Sequence, residues 1–341
     1  MRAPDFWWQP RPNFMARLLA PLGWAYGAVT VQRMSRGGAR TGVPVFCVGN
    51  FVAGGAGKTP TAIAIAHRLQ AQGEKPAFLS RGYGGKAGPG PVLVDAARHT
   101  AEDVGDEALL LARVAPTIVG ADRVASAALA VKTGASVVIL DDGLQNPSLA
   151  QDLRLAVVDG TAGIGNGLCI PAGPLRAPLS GQLASISAIL IVGEGAATSN
   201  KAIRASKKPI LTARFVAEED MASQLAGKPV VAFAGIGLPE KFKATVLDVG
   251  ATIAGWRSFP DHHVYSAEEL RRLQSDAAQR LAALVTTEKD YVRIAPLLAA
   301  LDPDLPRPLA LPGALIFDDT QALDDLLTKA LHDARAKIQA V

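Results

Sequence analysis

The stretch VPVFCVGNFVAGGAGKTP, residues 43–60, decides the fold. Val43–Gly49 is a short apolar run ending in glycine, the composition of a strand buried on both faces of a parallel sheet. After a glycine-rich segment, Thr59–Gln72 has helical spacing, with Ile63, Ala66, His67 and Leu69 on related faces. Pro60 falls in the first turn, where its missing N–H leaves no bond unmade. In a strand–loop–helix of this kind, successive backbone N–H groups cradle phosphate oxygens at the helix N-terminus. Within Val52-Ala53-Gly54-Gly55-Ala56-Gly57-Lys58-Thr59, Lys58 is placed to reach β- and γ-phosphates and the Thr59 hydroxyl to ligate Mg²⁺. Val52 stands where the usual first glycine of a P-loop would be, and the Gly54-Gly55 pair is typical of a variant class.

Outward from this loop the pattern alternates. Pro76–Leu79, Thr117–Val119, Ser136–Leu140, Leu153–Val158 and Ala188–Val192 read as strands, Glu102–Val114 and Asp122–Thr133 as helices. The spacing predicts a P-loop NTPase-type α/β fold: a mostly parallel sheet with helices on both faces. Asp141-Asp142 follows directly on the apolar run Ser136–Leu140, where a P-loop protein needs its metal-holding acid, one aspartate to hold Mg²⁺ and the other to orient it. Thr286-Thr287-Glu288-Lys289-Asp290 sets lysine and aspartate side by side, not at the spacing of a guanine-reading motif, so ATP is the expected nucleotide. After Leu211–Val216 a second, smaller α/β unit begins, with strands at Pro229–Ala234, Ala283–Thr286 and Ala314–Phe317. It has a helix around Pro239–Val246 and a closing helix at Leu323–Ile338. The expected organisation is an N-terminal segment 1–40, a P-loop domain 41–212 and a second domain 213–341.

The 341 residues are 49% hydrophobic and 19% charged, which excludes a disordered chain and allows a large core. A net charge of +4 is too mild to argue for nucleic acid. Cys47 and Cys169 lie far apart with no CxxC, so neither a disulfide framework nor a zinc cluster is expected, and a reducing compartment fits. The basic charge concentrates at the start: Arg2, Arg11, Arg17, Arg33, Arg36 and Arg40 stand against Asp5 alone. Between them runs an uncharged stretch, Leu18–Gln32, preceded by Trp7, Trp8 and Phe14, and shorter than the ~20 apolar residues of a spanning helix. A secretory signal is disfavoured by the long aromatic, proline-rich lead-in and by the ATP-binding motif that follows. An ordinary helix packed on the body is one reading. The other is a helix lying in an anionic membrane surface, with Phe14, Leu18, Leu22 and Val29 on one face, which the arginines and tryptophans favour.

Several strings together resemble the tetraacyldisaccharide 4′-kinase family, the lipid A 4′-kinases of Gram-negative bacteria. They are Val48-Gly49-Asn50 with the P-loop through Pro60, Ser80-Arg81-Gly82-Tyr83-Gly84, Gly105-Asp106-Glu107, Asp122-Arg123, Asp141-Asp142-Gly143-Leu144-Gln145, Pro171-Ala172-Gly173-Pro174-Leu175-Arg176, Asp261-His262 and Thr287-Glu288-Lys289-Asp290. They run in family order from about residue 41 to 293. The resemblance implies ATP- and Mg²⁺-dependent phosphorylation of the 4′-hydroxyl of a tetraacylated glucosamine disaccharide 1-phosphate, at the cytoplasmic face of the bacterial inner membrane, with no obligate protein partner. It implies Asp106 as general base and His262 as its partner, with Lys58 and Arg123 meeting phosphoryl charge. Ser80, Arg81, Tyr83, Gln145 and Arg176 are the expected substrate contacts, and Glu288, Lys289 and Asp290 receive no role. The chain departs from the family pattern at Asn146, where histidine is usual, and at Ala177, where glutamate is. A membrane-associated P-loop ATPase switch is the alternative; Ala53, where partner-activated members carry lysine, speaks against it.

Overall fold

The computed structural model describes residues 3–340 except 87, 89, 196, 198 and 199, so Arg2 lies outside the described residues. Its strands are β1 (Val45–Asn50), β2 (Pro76–Ser80), β3 (Val92–Leu93), β4 (Thr117–Val119), β5 (Val137–Asp141), β6 (Leu153–Asp159), β7 (Ala188–Val192), β8 (Ile210–Ala217), β9 (Pro229–Ala234), β10 (Thr252–Ser258), β11 (Ala283–Thr287), β12 (Pro308–Leu311) and β13 (Gly313–Phe317). The helices are α1 (Phe14–Met34), α2 (Lys58–Ala71), α3 (Ala101–Val104), α4 (Asp106–Ala112), α5 (Arg123–Lys132), α6 (Leu179–Ser185), α7 (Lys201–Ala205), α8 (Glu219–Leu225), α9 (Pro239–Asp248), α10 (Ala267–Gln279), α11 (Glu288–Ile294) and α12 (Thr320–Gln339).

Every residue of β1 is buried because it lies between two parallel neighbours, β5 and β6, with helices over both faces. Phe46 and Val48 point into one core with Ile65 and Leu69 of α2 and Leu323 and Leu327 of α12. Val45 and Cys47 point into the other, with Ala127 and Ala130 of α5 and Leu183 of α6. Among the described residues this sheet has nine strands, in the order β13-β8-β7-β6-β1-β5-β2-β4-β3. It is parallel except at its two edges, where β3 runs against β4 and β13 against β8. The register sets Asp141 opposite Val48, so the acids after β5 arrive at the same sheet end as the loop after β1.

A second sheet, β10-β9-β11-β12, is parallel throughout. One face carries α10 and α11 through Leu270, Leu273 and Ile294, the other α9 through Phe242 and Val246. The sheets divide the chain differently from the expected boundary at 212/213. β8 continues to Ala217 in the large sheet, β13 pairs with it from Gly313, and α12 packs Leu323, Leu327 and Leu331 into the first core. The smaller sheet is therefore built from a segment inserted between β8 and β13. Local pattern identifies a strand at 313–317, but its antiparallel partner lies about a hundred residues back and leaves no local trace. The helix expected over Glu102–Val114 is also two pieces, because Gly105, at φ 87°, breaks it between α3 and α4.

The helix α1 is longer than its uncharged run. Its 21 residues span roughly 31 Å, long and apolar enough by length and composition to cross a membrane. One face nevertheless packs on the protein. Ala16, Gly23, Gly27 and Thr30 are buried. A Cβ at Gly23 would lie 2.6 Å from the Cys169 carbonyl oxygen, and one at Gly27 would lie 2.8 Å from Pro178 Cδ. The large residues Phe14, Leu18, Leu22, Trp24 and Val29 all face outward. Gly27→Leu is expected to lift α1, lowering stability by about 1–3 kcal/mol and opening residues before 40 to protease. Unchanged thermal melting and unchanged protease cutting would show that the close approach is not needed.

Candidate active site

The glycine loop closes on itself before any ligand arrives. Asn50, buried at the end of β1, donates its Nδ2 to the Gly54 carbonyl at 3.0 Å. Gly57 takes φ 86° as the cap of α2, a left-handed conformation that glycine adopts without strain, and its carbonyl accepts from Thr61 Oγ1 at 2.8 Å. Lys58 lies back along the loop, with Nζ 3.4 Å from the Gly54 carbonyl and 3.6 Å from Asp142 Oδ2. This leaves the first turn of α2 and the loop amides as a phosphate cradle.

Beside it stand the two aspartates, in different electrostatic states. Asp142, at φ 61°, takes a two-pronged ion pair from Arg176, Nη1 to Oδ1 at 2.6 Å and Nη2 to Oδ2 at 2.9 Å. Burial pushes its carboxyl up, but Lys58 and Arg176 outweigh this and hold it below the usual range. Asp141 lacks such a partner. Burial, and then the Glu107 carboxylate, push its carboxyl up to about 7 against the pull of Lys58. Its Oδ2 lies 3.4 Å from Thr59 Oγ1, and its Oδ1 is buried with no hydrogen-bond partner. A hydroxyl and an unsatisfied carboxylate oxygen at this spacing fit a divalent cation. Among the described residues no group of three or more His, Cys, Asp or Glu is disposed to hold a metal. Of the expected metal-holding residues, Asp142 is paired with Arg176 and Lys58, while Asp141 and Thr59 face each other.

Arg123 starts α5 and is buried, and its Nη1 also has no partner. Burial lowers its pKa, opposed chiefly by the nearby Asp141. Gln145 bridges rather than projects: its Nε2 donates to the Asn50 carbonyl and to Gln182 Oε1, both at 2.9 Å, and its Oε1 accepts from Arg176 at 3.4 Å. Ala177 is buried, its carbonyl accepting from Gln182 at 2.7 Å, and Asn146 is exposed, its Oδ1 accepting from the Ser148 amide.

The third part of the site comes from both sheets. Asp106 opens α4 directly after Gly105, where a Cβ would meet the Tyr83 carbonyl oxygen at 2.7 Å. That close approach draws the Ser80–Gly84 turn against the helix start. Ser80 is buried, Arg81 and Tyr83 are exposed, and the Tyr83 ring lies 5.1 Å from that of His262. His262, at φ 57° on the loop after β10, brings Nδ1 to 3.3 Å from Asp106 Oδ2. Burial raises the Asp106 pKa, but the His262 contact, Arg293 and Lys289 outweigh it and hold the carboxyl well below its usual range. The same contact raises His262, with burial opposing. His263 turns away, stacking on Phe259 and pairing with Glu269.

The second sheet closes this edge at further points. Gly237 comes against the Gly55 amide, with an ideal Cβ 3.9 Å away, and Asp261 lies beside Gly237. Lys289 pairs with Glu107, and Lys241 with the buried Asp159 at the end of β6. Arg293 pairs with Asp106. Lys289 lies in a string that had been given no role, and Arg293 and Glu107 had not been singled out as site residues at all. The available signal was helical spacing: Asp290 and Arg293 are three residues apart and share a face of α11.

Comparison with known proteins identifies the family. A family model described as tetraacyldisaccharide-1-P 4′-kinase matches residues 15–332. Over 339 residues the chain is 53% identical to the tetraacyldisaccharide 4′-kinase of Methylobacterium radiotolerans, covering 97% of this chain and 99% of that one. It is 49% identical over 339 residues to that of Rhodopseudomonas palustris strain BisB5, covering 99% of each. Among solved structures it resembles LpxK from Aquifex aeolicus, crystallised in complex with ATP. The TM-score is 0.70 at 22% identity, over 93% of this chain and 100% of that one, a likeness of fold. With matches over nearly its whole length, the chain belongs to the tetraacyldisaccharide-1-P 4′-kinase family.

Proposed function

We propose that this chain moves the γ-phosphoryl group of ATP to the 4′-hydroxyl of a tetraacylated glucosamine disaccharide 1-phosphate, a step of lipid A synthesis. It does so with Asp106 and His262 facing the P-loop. The observation that carries the residue assignment is an acid–imidazole pair drawn from two sheets, at an edge where Gly237 and the neighbouring Asp261 come against the Gly55 amide and the Glu107 carboxylate acts on Asp141. An ATPase switch has no use for that pair.

In the reaction a bond forms between the sugar oxygen and the γ-phosphorus, and the bond from that phosphorus to the β,γ-bridging oxygen breaks. The hydroxyl proton passes to Asp106. His262, with Nδ1 3.3 Å from Oδ2, orients that carboxylate. Lys58 meets charge on the β- and γ-phosphates, and Arg123 offers an uncommitted guanidinium nitrogen. Thr59 and Asp141 would hold Mg²⁺, which would supply neutralisation of phosphate charge. Asp142, with Arg176, keeps Lys58 in place between turnovers. Tyr83 lies against His262 on the side from which the sugar approaches, Arg81 stands near Arg123, and the buried Ser80 turns its hydroxyl to the Gly82 amide, supporting that turn. Gln145 has a supporting place behind Arg176.

The outward face of α1 supports docking at an anionic membrane surface on the cytoplasmic side. Its large apolar residues are exposed together, and Arg11, Arg17, Arg33 and Arg36 are exposed around them. Tryptophan and arginine on such a face favour the headgroup boundary. A lipid acceptor is reached there by diffusion in the plane.

Lys58→Ala is expected to leave thermal melting unchanged and lower turnover about 100-fold or more at saturating MgATP. Activity within tenfold of wild type would overturn the P-loop assignment. Asp106→Asn should lower kcat far more than it raises KM for ATP, and His262→Ala should do so less severely. The double variant should lose less than the product of the two factors, because the pair acts as a unit; full additivity would separate them. Leu18→Glu combined with Trp24→Glu should weaken sedimentation with anionic vesicles while leaving turnover of detergent-dispersed acceptor unchanged. Undiminished sedimentation would move the docking surface elsewhere.

A further inference from the structure

Arg293 sits in none of the motifs that point to the reaction, yet its guanidinium, 8% exposed, joins the two sheets at the proposed base. Nε donates to Asp106 Oδ2 at 2.7 Å, and Nη2 pairs with the same oxygen. Nη1 donates to Asp290 Oδ1 at 2.8 Å and to the Gly235 carbonyl at 2.7 Å. Asp290 is in turn fixed by the Gly235 amide, the Thr287 hydroxyl and the Tyr265 hydroxyl. A planar guanidinium clamped in this way from behind presents its remaining edge in one direction only.

We infer that Arg293 is a positioning residue for phosphoryl transfer, fixing the direction in which the Asp106 carboxylate meets the acceptor hydroxyl whenever the smaller sheet is seated against α4. The inference rests on Asp106 being the base. Without Arg293, Oδ2 keeps only His262 at 3.3 Å, while Oδ1 keeps the Glu107 amide at 2.7 Å. The charged groups then facing Asp106 are Lys289 from α11, His262 from the loop after β10, and Glu107 beside it. The acids of α3 turn away, Glu102 to Lys86 and Asp103 to Thr100. Burial opposes ionisation, so losing the guanidinium raises the carboxyl's pKa, and the base becomes protonated at a higher pH than before. A residue that merely held the fold together would lower activity equally at every pH.

The test compares wild type, Arg293→Gln, Arg293→Lys and Asp106→Asn as full-length proteins with MgATP and detergent-dispersed acceptor. The titration of Asp106 is followed alongside by ¹³C-carboxylate NMR. Arg293→Gln should lower kcat by about tenfold or more. The acid limb of its kcat profile and the Asp106 midpoint should both move up by about one pH unit or more, with KM for ATP within about threefold. Arg293→Lys, which keeps the charge but not the fork, should restore the acid limb and recover kcat in part. An unmoved Asp106 midpoint in Arg293→Gln, with Asp106→Asn inactive, overturns the positioning role alone. An active Asp106→Asn overturns the base assignment and this inference with it.

Discussion

A carboxylate taken wholly out of water must be met on every side by donors, and Asp290 is such a group. Its partners are the Gly235 amide, the Tyr265 hydroxyl and, from α11 and its cap, the Thr287 hydroxyl and the Arg293 guanidinium. Satisfying it ties together the end of β9, the cap of α11 and the loop carrying Tyr265. The Gly235 carbonyl then accepts from both Arg293 and the His262 amide, at 2.7 and 3.1 Å. The position of the histidine that faces Asp106 is thus a consequence of how one buried charge is compensated some distance from the phosphates.

Seen from the other sheet, the same logic repeats with different groups. Asp142 is compensated by Arg176 and Lys58, and Asp159 by Lys241 and two backbone amides. Asp141 is left short of positive charge and Arg123 short of an acceptor, both buried. Buried polar groups are rarely left so unless a ligand completes them. Among the described residues Asn50 Oδ1, Gln151 Oε1 and Arg154 Nε are also buried without a partner, and of these Asn50 stands beside the glycine loop, at the same end of β1.

Much of this was legible in the chain. The glycine loop, the acids after β5 and the alternation of strands and helices are local features, and β4, β7 and β9 fall on the residues that their apolar runs indicate. The misreadings share a cause. A break at Gly105 depends on how closely the Tyr83 carbonyl approaches, and the return of β13 to the large sheet depends on β8. β10, with small and polar residues among its apolar ones, has no clean period. Arg293 looked like any arginine at the end of a short helix, since its meaning lies in a carboxylate 187 positions away. Contacts between separate sheets are three-dimensional facts that one-dimensional patterns do not encode.

The glycines of α1 carry a consequence for how the enzyme is oriented. Gly23 and Gly27 bring the helix so close to the 169–178 segment that it cannot roll about its own axis without collision. Whatever medium receives Leu18, Leu22 and Trp24 therefore also sets the roll and tilt of the whole protein against it, and with them the slant of the cleft. The same segment holds Arg176, so the keel of the molecule and the cradle of Asp142 are parts of a single stiff strut. The cleft carried on that strut keeps one fixed slant to whatever lies beneath α1.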